Sequence, residues 1–148
     1  MRILAIALVL LISALPALAD TVVIRNDGGG NINDYLARRA KLARADAVRI
    51  EGKCLSACAI FTTLPNACVA PDAAIGFHGT LPKSGIFAID LWLDMRMGQY
   101  FRGEVRRKYE TEWRHLGGSN QFHVITGRQL KRLDPQIRLC PPAKKRGG

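Results

Sequence analysis

The sequence predicts a single α/β domain built on a short, mainly parallel sheet flanked by helices. Three observations carry this. Between Thr21 and Phe77 the chain runs strand, glycine turn, helix, strand, turn, helix, strand, the order that parallel strands with crossover helices produce. With 148 residues, the chain has room for one modest core and not for two. No internal repeat or low-complexity segment interrupts it.

Residues 1–19 stand apart. Met1-Arg2 is a short basic start, Ile3 to Ile12 is unbroken apolar sequence, and Ala17-Leu18-Ala19 supplies the small-x-small pattern before Asp20. This reads as a signal peptide; the apolar run is shorter than the about 20 residues a spanning helix needs. The expected product is a periplasmic or secreted domain over residues 20–140, followed by a disordered basic tail over 141–148 (Pro-Pro-Ala-Lys-Lys-Arg-Gly-Gly).

Thr21-Val22-Val23-Ile24 is a β-branched strand, ended by Asn26-Asp27-Gly28-Gly29-Gly30. A helix follows to about Ala45, with Asn33 or Asp34 as cap and Tyr35, Leu36, Ala40 and Leu42 on its apolar side, opposite Arg38, Arg39, Lys41 and Arg44. Ala47–Ile50 is a second strand, closed by Gly52. Ser56 caps a small apolar helix to Leu64, which Pro65-Asn66 stops. Cys68–Ala70 and Ala74–Phe77 are short strands around a Pro71-Asp72 turn. A long helix is expected from Phe87 to Leu116, because Leu93, Met97, Phe101, Val105, Tyr109 and Trp113 recur at i+4, with bending at Gly98 and Gly103. A helix over 126–133 and a strand over Gln136–Cys140 complete the domain.

The net charge is +10, about +9 without Arg2, and its basic residues concentrate in Arg102–Arg114 and Lys144-Lys145-Arg146. Such a charge favours loose contact with anionic envelope surfaces. Zinc-finger spacing, aromatic-basic strips and helix-turn-helix patterns are missing from the sequence, which argues against nucleic-acid binding. Four cysteines follow Asp20: Cys54, Cys58, Cys68 and Cys140. In an oxidising compartment an even count reads as two disulfides with three possible connectivities. The competing reading, a metal site on the C-x3-C, has only His78 nearby to complete it.

Three features fall at the C-terminal ends of predicted strands, where open α/β sheets place their sites. Gly28-Gly29-Gly30 can turn backbone N–H groups towards an oxyanion. Ser56 lies on a strand-to-helix turn, its hydroxyl above a helix N-terminus that favours developing negative charge. His78 follows the strand Ile75-Gly76-Phe77 and could take the serine proton from a neighbouring strand end.

Together these stretches resemble a known arrangement. Asn26-Asp27-Gly28-Gly29-Gly30-Asn31-Ile32 is similar to the Asn-Ser-Pro-Gly-Gly-Ser-Val loop of the proteolytic subunit of Clp protease, and Gly52-Lys53-Cys54-Leu55-Ser56-Ala57 to that family's Gly-x-Ala-Ala-Ser-Met nucleophile turn. Cys68-Val69-Ala70-Pro71 through Phe77-His78 resembles the short strands leading to its histidine. The resemblance to the Clp-protease/crotonase-like superfamily runs from about Val23 to His78, and more loosely over 126–140. The family's first strand-helix-strand unit has no counterpart before the glycine loop. The resemblance implies a serine hydrolase, peptidase or esterase-like, with Ser56 as nucleophile, His78 as general base, and the N–H groups of Gly30 and Ala57 as oxyanion hole. The family's Asp has no clear match. Asn120 is the expected orienting residue, with Asp90, Asp94 and Asp134 as further candidates. A silent binding protein on the same fold is the alternative.

No cofactor and no metal are implied. The partners to consider are a peptide or ester substrate, an anionic envelope surface and further copies in a homo-oligomer. The superfamily's habit of laying its last strand beside the one before the histidine favours Cys68–Cys140, with Cys54–Cys58 across the serine turn. Cys58–Cys68 is the main alternative.

Overall fold

The computed structural model describes residues 20–117 and 121–142. The expected signal segment, Asn120 and the end of the basic tail, 143–148, lie outside the described residues.

The fold is α/β, a mixed five-stranded sheet flanked by helices. Strand β1 (Thr21–Asp27) pairs in parallel with β2 (Ala47–Leu55). Both run further than their β-branched stretches foretell. Gly52 does not close β2: its φ of +89° carries the strand past an irregularity in the β1 register between Ile24 and Asn26. A side chain there would collide with the Arg25 carbonyl, so glycine is what lets β2 reach Leu55. On the other edge of β2, β3 (Ala67–Val69) pairs with Val48–Ile50 and β4 (Ala74–Phe77) with Lys53–Leu55, both in parallel. β3 and β4 therefore run end to end along that edge. Strand β5 (His123–Thr126) lies antiparallel on β4.

Gln136–Cys140 is not a full strand. Only Leu139 bridges Val69, through Val69 N–H to Arg138 O (2.9 Å) and Cys140 N–H to Val69 O (2.9 Å). The Cys68–Cys140 disulfide fastens the same junction. Arg49 holds the next residue by donating to Pro141 O at 3.3 Å.

Helix α1 (Ile32–Leu42) starts earlier than its sequence suggests, because Asn31 caps it by accepting the Asn33 N–H. Arg39, expected in solvent, instead reaches the carbonyls of Ile60 and Thr63. A 3-10 helix, Ser56–Thr63, replaces the expected regular one. The long helix divides into α2 (Phe87–Gly98), α3 (Gly103–Thr111) and a 3-10 turn at Trp113–His115. At Gly103 the φ is +54°, and Gly98 lets the Tyr109 ring approach so closely that a Cβ would lie 3.0 Å from it. Met97, Phe101, Val105, Tyr109 and Trp113 are nevertheless all buried. Helix α4 (Gly127–Leu133) carries a capping box, with Thr126 accepting from Gln129 N–H and the Gln129 side chain accepting from Thr126 N–H.

The core is formed by Val48, Ile50, Val69, Ile75 and Phe77 of the sheet with Ile60 and Phe61 of the first 3-10 helix. Among the described residues no helix is long and apolar enough to cross a membrane. All four cysteines are paired, as Cys54–Cys58 and Cys68–Cys140, which suits an oxidising, extracytoplasmic environment.

Candidate active site

β2 ends at Leu55 in extended backbone, and the chain turns into the 3-10 helix at Ser56, whose φ is +55°. A non-glycine residue in the left-handed region costs about 1–3 kcal/mol and persists only where its surroundings hold it. Two neighbours do so. The Cys54–Cys58 disulfide, buried at both ends, straddles the turn with its Cα atoms 5.2 Å apart. On the other side Gly29 (φ +83°) packs so tightly that a Cβ would lie 2.5 Å from Ser56 Cβ and 2.7 Å from Leu55 O. Held this way, Ser56 does not cap the helix as its position suggested: the turn makes no side-chain capping bond. The hydroxyl faces His78, with Ser56 Oγ 2.6 Å from His78 Nε2.

His78 is placed by what precedes and follows it. Phe77 is clasped by Phe101 (ring centroids 5.2 Å) and Trp113 (4.7 Å), while the Gly79 N–H donates to Leu116 O at 3.2 Å. The imidazole is 5% exposed and lies against Phe122, 4.5 Å between ring centroids. Burial, reinforced by the Lys83 ammonium and opposed by Asp94, holds its pKa below the usual 6.5. The ring is therefore neutral at pH 7, the form in which Nε2 can accept a proton.

Ser56 and His78 open onto a cleft of about 570 Å³, whose walls include Gly28–Asn33, Ala57, Leu93, Met97 and Phe122. Gly30 and Ala57, the expected oxyanion donors, both line it. Among the described residues no backbone acceptor takes the Gly30 N–H. The Gly29 N–H, by contrast, is engaged by Asp27 Oδ1 at 3.0 Å.

The candidates for orienting His78 separate. Asp134 pairs with Arg102 at 3.0 Å, and Asp90 accepts the Ser84 N–H at 2.7 Å; these bonds commit both away from the histidine. Asp94, 2% exposed, is the one whose charge reaches His78, but its carboxylate accepts the Thr80 N–H (2.6 Å) and Lys83 Nζ (3.1 Å). Among the described residues His78 Nδ1, though buried, has no hydrogen-bond partner. Sequence reasoning passed over Lys83 and Phe122, which no strand end or cap marks. It also passed over the Asp27–Tyr35 contact, for which the turn-forming Asn-Asp-Gly run was a partial signal.

The C-x3-C pair is closed as a disulfide, and among the described residues no group of three His, Cys, Asp or Glu side chains is placed to hold a metal. Comparison with family models and with curated proteins finds no match to this chain.

Proposed function

We propose that the protein is a small serine hydrolase of the Clp-protease/crotonase-like superfamily, cleaving peptide or ester bonds in the periplasm or outside the cell. The observation that carries this is the 2.6 Å approach of Ser56 Oγ and His78 Nε2 on a strained strand-to-helix turn at a cleft. Further support comes from the glycine loop against that turn, and from the terminal segment beside β3. In this reading Nε2 takes the hydroxyl proton as Oγ attacks the carbonyl carbon. The tetrahedral oxyanion is met by the Gly30 and Ala57 N–H groups, each donor contributing about 3–4 kcal/mol. His78 then returns the proton to the leaving amine or alcohol, and water releases the acyl group from Ser56 by the same route.

A second reading, a catalytically silent envelope-binding protein, rests on the lack of a partner for His78 Nδ1 among the described residues. Labelling with a fluorophosphonate separates the two. The hydrolase labels, and Ser56→Ala abolishes labelling with folding intact; a folded wild-type protein that resists the probe is the silent binder.

A further inference from the structure

The glycine loop carries one proposed oxyanion donor, Gly30, and the first 3-10 helix carries the other, Ala57. For two donors to meet one oxygen, the loop and the helix must be held in fixed register. Asp27, at the end of β1, has a side chain only 10% exposed. Its Oδ1 accepts the Gly29 N–H at 3.0 Å and the Tyr35 hydroxyl; its Oδ2 accepts Arg38 Nη1 at 2.5 Å. Tyr35, on α1, has its ring under the loop, where a Cβ on Gly30 would lie 3.3 Å from Tyr35 Cε2. The same ring stacks on Phe61 of the 3-10 helix, with centroids 5.4 Å apart and planes at 17°. The Arg38 guanidinium lies over both rings, 5.6 Å from Tyr35 and 5.2 Å from Phe61.

One side chain thus bonds the loop backbone and the tyrosine, and the tyrosine touches both donor-bearing segments. We infer that Asp27 and Tyr35 are positioning residues that set the register between the Gly30 and Ala57 donors, an inference that rests on the hydrolase reading. Neither touches the reacting atoms. Burial alone would push the Asp27 carboxyl up, but the bonds from Tyr35, Gly29 and Arg38 outweigh it and hold the group ionised at neutral pH.

The test is the full chain with both disulfides formed, probed by fluorophosphonate labelling and by hydrolysis of p-nitrophenyl acetate. Asp27→Ala should slow labelling about 100-fold, as misplacing one oxyanion donor does, and lower kcat while KM stays within about twofold. Tyr35→Phe keeps the ring stack and loses only the hydroxyl, so it should slow labelling about tenfold with a native circular dichroism spectrum. Asp27→Asn, whose Oδ1 still accepts from Gly29, should recover most of the loss. A merely structural role would lower the melting temperature and spare kcat in the folded fraction. A folded Tyr35→Phe protein that labels at the wild-type rate, or a folded Asp27→Asn protein that labels no faster than Asp27→Ala, overturns this inference alone. A wild-type protein that does not label overturns the hydrolase reading and this inference with it.

Discussion

His78 sits between two opposite charges, and their balance decides how basic its Nε2 is. Burial and the Lys83 ammonium hold the pKa down, and Asp94 draws it up. Lys83 also pairs with Asp94 at 3.1 Å, so it acts on the histidine both directly and by covering the carboxylate. Removing it takes away the repulsion and uncovers the attraction, and both changes favour the imidazolium. Lys83→Met should therefore move the acid limb of the labelling rate to higher pH than in the wild type. A limb that stays or moves down would show that Lys83 does not act on the histidine. Ser56 and His78 were legible because each ends a strand, a position that pattern and turn residues mark along the chain. Asp94 was legible only as one of three candidate carboxylates, and Lys83 not at all, because the Lys83–Asp94 pair is brought to the histidine by tertiary packing that includes Phe101 and Trp113 docking on Phe77. The i+4 stripe marks these rings as buried but does not say which strand they pack on.

Among the elements, the two disulfides act on different things. Cys54–Cys58 closes a span of 4 residues, Cys68–Cys140 one of 72. In the chain-entropy model the short loop restrains the unfolded chain by about 2 kcal/mol and the long one by about 4 kcal/mol. The short bridge, however, straddles the residue with the strained backbone. Replacing Cys54 and Cys58 by Ser should slow Ser56 labelling by about tenfold or more with a modest fall in melting temperature, because the turn relaxes from its left-handed conformation. Replacing Cys68 and Cys140 should lower stability by about 4 kcal/mol in a denaturant titration and leave the labelling rate of folded protein near wild type. The reverse pattern would refute this division. The order of elements from β1 to β4 could be read from alternation and turn chemistry. The break between α2 and α3 was legible as a bend at Gly98 and Gly103 but not as an interruption: the apolar i+4 stripe continues through it, because Phe101 and Val105 still face the core after the chain bends. Strand β5 was missed because His-Val-Ile-Thr has only Ile125 buried and gains its strand geometry from β4.

For the molecule as a whole, the question is how a chain of net charge +10 stays compact as pH changes. The basic run that looked like a docking face is partly neutralised, since Arg106, Arg107 and Lys108 pair with Glu110, Glu104 and Glu112 along α3. Exposed pairs of this kind contribute little to stability. The pH response lies instead with groups whose pKa changes on folding. His78 is held below 6.5 in the fold, so as pH falls from that value the unfolded chain binds the proton first and stability is lost. Asp27 is held below 3.8, so its contribution is present above that pH and lost as pH falls through its lower, folded value. Tyr35, raised from 10.0 to about 12 by burial and by Asp27, has the opposite sign: stability is present below 10 and lost as pH rises towards 12. Maximum stability should accordingly lie between 6.5 and 10. Falling pH also raises the positive charge of every variant alike, so the informative quantity is a difference between variants. In thermal melts, His78→Asn should lose less of its melting temperature than the wild type between about pH 7.5 and 5, and Tyr35→Phe less between about pH 9 and 11. Equal losses in variant and wild type would mean that these groups titrate alike in the folded and unfolded chain, and that self-repulsion alone sets the limits.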